Sequence, residues 1–547
     1  MNIQSFLRHH GLEENPFNAE EARLDPVLER LESGGHNLEH PEFQKILGRL
    51  DQPSTAVVFG EKGSGKTAIR LDIERRIAAH NQTSPDKKVL VVAYDDLNPV
   101  LDRLQRALRV DGPKVLDAIR LEDHQDAILA LATTKLLNAL TGGAGPDAGD
   151  PSVPLPPDTL KSLKKLPVEQ RRDLATLATL YDQPASADPV TRLARLRKRL
   201  RLGVNLHPNF WLWVAVLGGI AALVLGGWWW LQSEDPPAWL LPAGVLALAA
   251  LLLGLGVWTW ERVRIWSLAR SILKEMPATQ RTHEQLKHML ADTPSRTFAD
   301  QPLPRTAGPD AGPRDDRYQL TRRLVSLLRG LGYAGILVLV DRIDEPTLVS
   351  GDEDRMKKIV WPMFDNKFLK QDHFGLKLLL PVELSYLLKR ESSQFFQEAR
   401  LDKQNMVERL SWSGSTLYDL CSARLRAVRS STASASASAP AAGEGEGGGE
   451  REGTQAPEGA AAGPTGGEIS LTDLFTDDVD RVQLIDALDQ MQQPRDAFKF
   501  MYQVVQEHCR LMPEESAEWQ IARLTLDSVR RDQSQRVQEL HRGRQPA

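Results

Sequence analysis

Cysteine is scarce. Cys421 and Cys509 are the only two in 547 residues, and neither belongs to a C-x-x-C pair. This excludes a disulfide framework and a zinc ribbon, and it fits a reducing compartment. Charge of one sign is also missing: 68 Lys and Arg face 73 Asp and Glu, for a formal net charge of −5. The whole chain therefore has no general attraction to nucleic acid or anionic lipid, and no strong sign of nucleic-acid binding. The opening residues, MNIQSFLRHHGLEENPF, lack the apolar core of a secretory signal. Internal repeats are absent. What remains is an uneven chain, and its informative stretches are few.

The first is Gly60-Glu61-Lys62-Gly63-Ser64-Gly65-Lys66-Thr67. It follows Thr55–Phe59, a β-branched and apolar run that reads as a buried strand. It precedes Ala68–Ile77, whose apolar residues recur at helical spacing. Strand, glycine-rich loop, Gly-Lys-Thr and helix is the order a P-loop requires. The glycines let successive N–H groups turn inward as an anion nest, and the helix start at Ala68 adds its positive dipole end. Lys66 then reaches the β- and γ-phosphates, while the Thr67 hydroxyl ligates Mg²⁺. A second buried strand is expected at Lys88–Tyr94. Asp95 and Asp96 at its end could orient water or metal, with a helix cap the preferred role.

The second stretch is a pair of uncharged runs, Phe210–Leu231 and Ala238–Trp260. Each is long enough for a helix of about 20 residues to cross a bilayer. Trp211, Trp213, Trp228, Trp229, Trp230, Trp239, Trp258 and Trp260 crowd their ends, as in an interfacial belt. Arg192, Arg195, Arg197, Lys198, Arg199 and Arg201 precede the pair; Arg262, Arg264, Arg270 and Lys274 follow it. The connecting turn is short and acidic. The positive-inside rule puts both flanks in the cytoplasm, so a two-pass inner (plasma) membrane protein with both termini and the soluble domain cytoplasmic is expected.

The third is Ile336-Leu337-Val338-Leu339-Val340-Asp341, an apolar strand ending in an acid. This is the Walker B pattern, with Asp341 holding the Mg²⁺ shell opposite Thr67. Asp344 and Glu345 follow, and either can polarise the attacking water; Glu345 is preferred. A further strand at Gly375–Pro381 leads to Glu383, with no polar sensor residue assigned. Arg400 reads as a surface ion-pair residue or an arginine finger. Ser430–Glu468 has the composition of a flexible linker. Gln493-Pro494-Arg495-Asp496-Ala497-Phe498-Lys499-Phe500 starts a helix with proline in its first turn.

Lys66 and Asp341 lie half the chain apart, with the apolar pair between them. That arrangement resembles the KAP family of P-loop NTPases, in which membrane segments interrupt an AAA/STAND-like core. GEKGSGKT, ILVLVDRIDE and QPRDAFKF carry the resemblance. It implies that Arg495 senses the γ-phosphate, as in the N-P-R segment of AAA-like lids. The family follows its Walker B Asp with a second acid, then a hydrophobic residue and Asp. Here Arg342 replaces that acid, Ile343-Asp344 keep the rest, and Glu345 is extra. Family members are linked with phage exclusion or with membrane signalling scaffolds.

The expected fold class is therefore α/β: a parallel-sheet P-loop NTPase core, a C-terminal helical lid and an inserted two-helix transmembrane hairpin. The expected divisions are a helical segment (1–45), the first half of the core (46–140), a cytosolic insertion with a basic flank (141–205), the hairpin (206–262), a return segment (263–320), the second half of the core (321–429), a disordered linker (430–468) and the lid with its tail (469–547). Expected cofactors are ATP and Mg²⁺. Expected partners are the lipid bilayer and further copies of the chain, with an unidentified protein partner left open. The function expected is a membrane-anchored ATPase, with lysine and arginine charge and an oriented water acting on the phosphoryl group. The alternative is a slow nucleotide-dependent switch or scaffold, with phage defence as its setting by family analogy. Two uncharged helices in one copy cannot line a pore.

Overall fold

Four of the five strands are short, largely apolar runs buried on both faces, the pattern of a parallel sheet covered by helices. The computed structural model describes residues 1–19, 21–33, 39–141, 163, 165–185, 188–202, 209–231, 237–279, 281–291, 302–304, 316–429, 469–513 and 517–542. The acidic turn at 232–236 and the Ser430–Glu468 linker lie outside these.

In chain order, α1 (Ile3–His9), α2 (Pro26–Ser33) and α3 (Phe43–Leu47) precede β1 (Ala56–Gly60), and α4 (Lys66–Thr83) leads to β2 (Lys88–Tyr94). The long passage to β3 (Tyr333–Val340) carries α5 (Asn98–Leu108), α6 (Leu121–Thr141), α7 (Val168–Tyr181) and α8 (Pro189–Leu200). It continues with α9 (Phe210–Leu231), α10 (Leu240–Glu275), α11 (His283–Ala291) and α12 (Asp316–Gly330). Then come α13 (Glu353–Val360), α14 (Asn366–Leu369), β4 (Phe374–Pro381), α15 (Val382–Lys389), α16 (Ser393–Ala399) and β5 (Asn405–Val407). The chain ends in α17 (Gly414–Ala427), α18 (Arg481–Asp489), α19 (Pro494–Leu511) and α20 (Arg523–Arg542).

The five strands form one sheet in the order β2-β3-β4-β1-β5, and every pair is parallel. From β1 the chain steps to the far edge, then returns strand by strand. Right-handed crossovers therefore put the first connection on one face and the others on the opposite face. The alternation of side chains agrees. Val58, Leu337, Leu339 and Leu379 pack on Ile69, Ile73 and Ile77 of α4. Val57, Phe59, Val338 and Leu378 face the core built with α5, α6, α7 and α12. The reversal of direction at β1 opens a crevice at the carboxyl ends of the strands.

A second core joins the two ends of the chain. Phe6, Leu12, Phe17 and Val27 pack with Leu417, Phe500, Val504 and Leu526. Arg424 of α17, 2% exposed, donates to both Asp25 carboxylate oxygens (2.6 and 3.0 Å) and to Pro16 O (2.7 Å). Apolar residues from Phe6 to Leu31 of the N-terminal segment thus share one helical core with the C-terminal helices, while Phe43 packs with the sheet and α4. Helical periodicity marks an apolar face without naming its partner.

Helices α9 and α10 are long and apolar enough to cross a membrane, and only 11% and 17% of their most apolar windows is buried. They touch each other at glycines. A Cβ on Gly218 would lie 2.7 Å from Leu251 N, and one on Gly254 2.7 Å from Ala215 N and Trp211 O. These two glycines are used inside the hairpin, while Gly226, Gly227 and Gly256 meet nothing within 4 Å. The boundary expected at residue 262 falls inside α10, which runs unbroken to Glu275. Ala269 and Ile272 near its end are buried in the sheet-side core. Arg317 of α12 donates to Glu275 O (2.7 Å) and to Asp126 of α6 (3.0 and 3.2 Å). Part of the basic flank before α9 is likewise turned inward: the buried Arg192 pairs with Asp182 (3.3 Å) and the buried Arg197 donates to Met289 O (3.4 Å).

Candidate functional site

The loop between β1 and α4 is shaped by two residues in the left-handed region, Gly63 at φ 96 and Gly65 at φ 91, where any side chain would be strained. Gly65 is the N-cap of α4 and supplies no side-chain cap. Ile69 N is the first to find a helical acceptor, Gly65 O at 2.9 Å, so the N–H groups of Lys66, Thr67 and Ala68 have no acceptor within their own helix. Free N–H groups and the positive end of the helix dipole at such a start favour an anion. Lys66 Nζ donates to Gly60 O (2.7 Å) and Glu61 O (2.9 Å), which fold the amine back over the loop. Burial lowers its pKa, against the pull of Asp344, Asp341, Glu383 and Glu61. Lys62 and Gly63 line the same crevice, and the buried Ser64 hydroxyl finds no partner among the described residues.

Strand β3 delivers Asp341 to this loop. Thr67 Oγ1 donates to Asp341 Oδ2 at 3.0 Å, so residues half a chain apart meet in the crevice. Asp341 is 1% exposed; burial raises its pKa, and Arg70, Thr67 and Lys66 oppose that rise. The two acids that follow differ. Glu345 is half exposed and pairs with Arg342 (2.7 Å), which turns out at φ 61. Asp344 leads the carboxylates that hold Lys66 charged.

The C-terminal bundle closes the crevice. Arg495, at the first turn of α19, stacks on the loop: a Gly63 Cβ would lie 2.9 Å from its own Cβ, and Arg495 N donates to Gly63 O at 3.4 Å. Arg400 sits elsewhere, ending α16 at φ 53 and absent from the crevice lining.

Several contacts here were not legible in the sequence. Trp412 Nε1 donates to Ser64 O (2.9 Å). Glu61, 5% exposed, accepts from Arg409 (2.6 Å) and Gln493 (3.3 Å), and so ties the loop to the segment after β5 and to α19. Arg70 donates to Asp95 (2.6 Å) and approaches Asp341 Oδ2 at 3.7 Å. Its position three residues after Thr67 on one helix was the available clue. Neither acid takes the preferred cap role: Asp95 also pairs with Arg23, and Asp96 accepts from Asn98 N at 3.0 Å in the turn before α5, whose N-cap is Leu97 with no side-chain cap.

The crevice encloses about 990 Å³ and is lined by Lys66, Thr67, Asp341, Asp344, Glu383 and Arg495 among others. A nest of N–H groups, one amine, one hydroxyl and a buried carboxylate are a chemically coherent set for a phosphate chain with a hard divalent cation, which favours oxygen ligands. Among the described residues no cluster of three or more His, Cys, Asp or Glu is placed to hold a metal, so such a cation would share its ligands with the phosphates. No family model, curated protein or solved structure matches this chain.

Proposed function

We propose that this chain is a membrane-anchored P-loop ATPase of the KAP kind, with AAA-like core and lid, whose nucleotide state is coupled to movement or assembly at the inner membrane. The observation that carries the reading is the 3.0 Å contact of Thr67 with Asp341 beside Lys66, at the mouth of an uncapped helix start. Thr67 and Asp341 would hold Mg²⁺, which when bound supplies charge neutralisation at the phosphoryl oxygens. The loop N–H groups bind and orient the triphosphate. Lys66, released from Gly60 O and Glu61 O, neutralises charge that develops on the transferred group. Arg495 reaches the same end of the nucleotide from the lid. Asp344 orients the attacking water and takes its proton; Glu345, committed to Arg342, is the weaker candidate.

The test is ATP turnover by the full chain in detergent, with equilibrium nucleotide binding measured alongside. Asp344→Asn should lose on the order of 10² or more in turnover and keep nucleotide affinity, while Glu345→Gln stays within a few fold. Tight binding with negligible turnover by the unmodified protein makes it a switch instead. Absence of Mg²⁺-dependent nucleotide binding overturns the reading.

A further inference from the structure

We infer that the exposed face of α10 from Trp260 to Arg270 is a seat for anionic phospholipid headgroups, an inference that rests on α9 and α10 being membrane spans. At a rise of 1.5 Å per residue, Trp239 to Trp260 covers about 32 Å, close to the roughly 30 Å of a bilayer's hydrocarbon core. Asn209, just before α9, accepts from Arg262 (2.7 Å) and from Trp258 Nε1 (3.5 Å) on α10. The two helices therefore leave the apolar layer at one level. α10 does not stop there. Val263 is 63% exposed and Trp266 46% exposed, yet they stand about 5 and 9 Å beyond Trp260. On the other side of α10, Ile265 and Leu268 already pack against the domain core, and Ala269 and Ile272 are buried in it. Folded protein therefore begins about 8 Å past Trp260, where Trp266 also meets His283 edge-on. An exposed valine and tryptophan on the outer side of that stretch are misplaced in water and well placed among headgroups, where indole rings concentrate.

The charge of that outer side fits the same occupant. Arg264 lies over the Trp260 ring (5.4 Å to the centroid) and Arg270 over Trp266 (5.3 Å). Both arginines are exposed, and among the described residues neither forms an ion pair. Arg262, by contrast, is taken by Asn209. Side chains on a helix lean toward its N-terminus, and the N-terminal part of α10 is the apolar span, so Arg264 and Arg270 lean back toward the membrane. Guanidinium groups held on aromatic rings, weakly hydrated and unpaired, match lipid phosphates that carry net negative charge.

The experiment reconstitutes the full chain in nanodiscs of equal phosphatidylcholine and phosphatidylglycerol, re-extracts it in mild detergent, and quantifies retained lipid by mass spectrometry. The unmodified protein should retain phosphatidylglycerol above the bulk ratio, by roughly fivefold per arginine engaged. Arg264→Gln with Arg270→Gln should return it to the bulk ratio while the protein stays in the membrane fraction after carbonate extraction. Retention at the bulk ratio by the unmodified protein, or unchanged enrichment in the double variant, overturns the inference. Efficient crosslinking of two copies through Trp266→Cys, without lipid enrichment, overturns it in favour of a second chain on this face. Release of the unmodified protein by carbonate identifies the failure as that of the membrane reading itself.

Discussion

The crevice and the hairpin break the usual inside–outside rule in opposite directions. In the crevice, Asp341 and Glu61 are almost fully buried although charged groups favour water. In the hairpin, Leu217, Leu223 and Leu253 are 63%, 77% and 64% exposed. In the crevice the buried acids are offset by partners, Glu61 by Arg409 and Asp341 by Thr67 and Arg70. The exposed leucines lie on two helices long and apolar enough to cross a membrane. Between the two regions most apolar residues lie inside. Arg317 is the joint, bound to the end of α10 and to Asp126 of the helix layer that covers the sheet.

Breaking that joint should have the largest effect. Arg317→Met strands Asp126, fully buried and left with the Tyr181 hydroxyl (2.8 Å); stability should fall by about 3–5 kcal/mol. Thermal unfolding in detergent measures it, and adding Asp126→Asn should restore part of the loss. Next is the crevice. Lys66→Ala should lower ATP turnover by about 10²–10³-fold, the usual loss for a preorganised group facing developing charge, with the unfolding temperature unchanged. An equal fall in unfolding temperature would make Lys66 a structural residue.

Third is the hairpin. Gly254→Leu drives a side chain into the backbone of α9 and should cost about 1–3 kcal/mol, whereas Gly226→Leu, facing open space, should cost nothing measurable. Similar losses at both positions would show that Gly226 is covered too. The smallest effect lies behind the sheet, where Lys377 of β4 is fully buried and donates to Ser54 O at 2.7 Å. Burial lowers its pKa from 10.5 to about 7. Between those values the unfolded chain binds the proton and the folded chain does not, so stability rises with pH across that window. The gain should be about 1 kcal/mol from pH 7 to 8, and Lys377→Met should remove this slope in denaturant titrations at the two pH values.

The sequence by itself determined the first four strands, the glycine loop and the two apolar helices, because these depend on local pattern: apolar runs, glycine spacing, and length without charge. It also placed the proline that opens α19. Only the tertiary structure showed that Glu345 is tied to Arg342 at 2.7 Å, while Asp344, its neighbour in sequence, is the acid that acts most strongly on Lys66. It alone joined Phe6 to Phe500 and Glu61 to Arg409. It alone carried α10 past its apolar end into the domain core. The physical reason is common to all three. A local pattern fixes what a segment needs, buried face or paired charge, but its partner is chosen by packing among every segment at once.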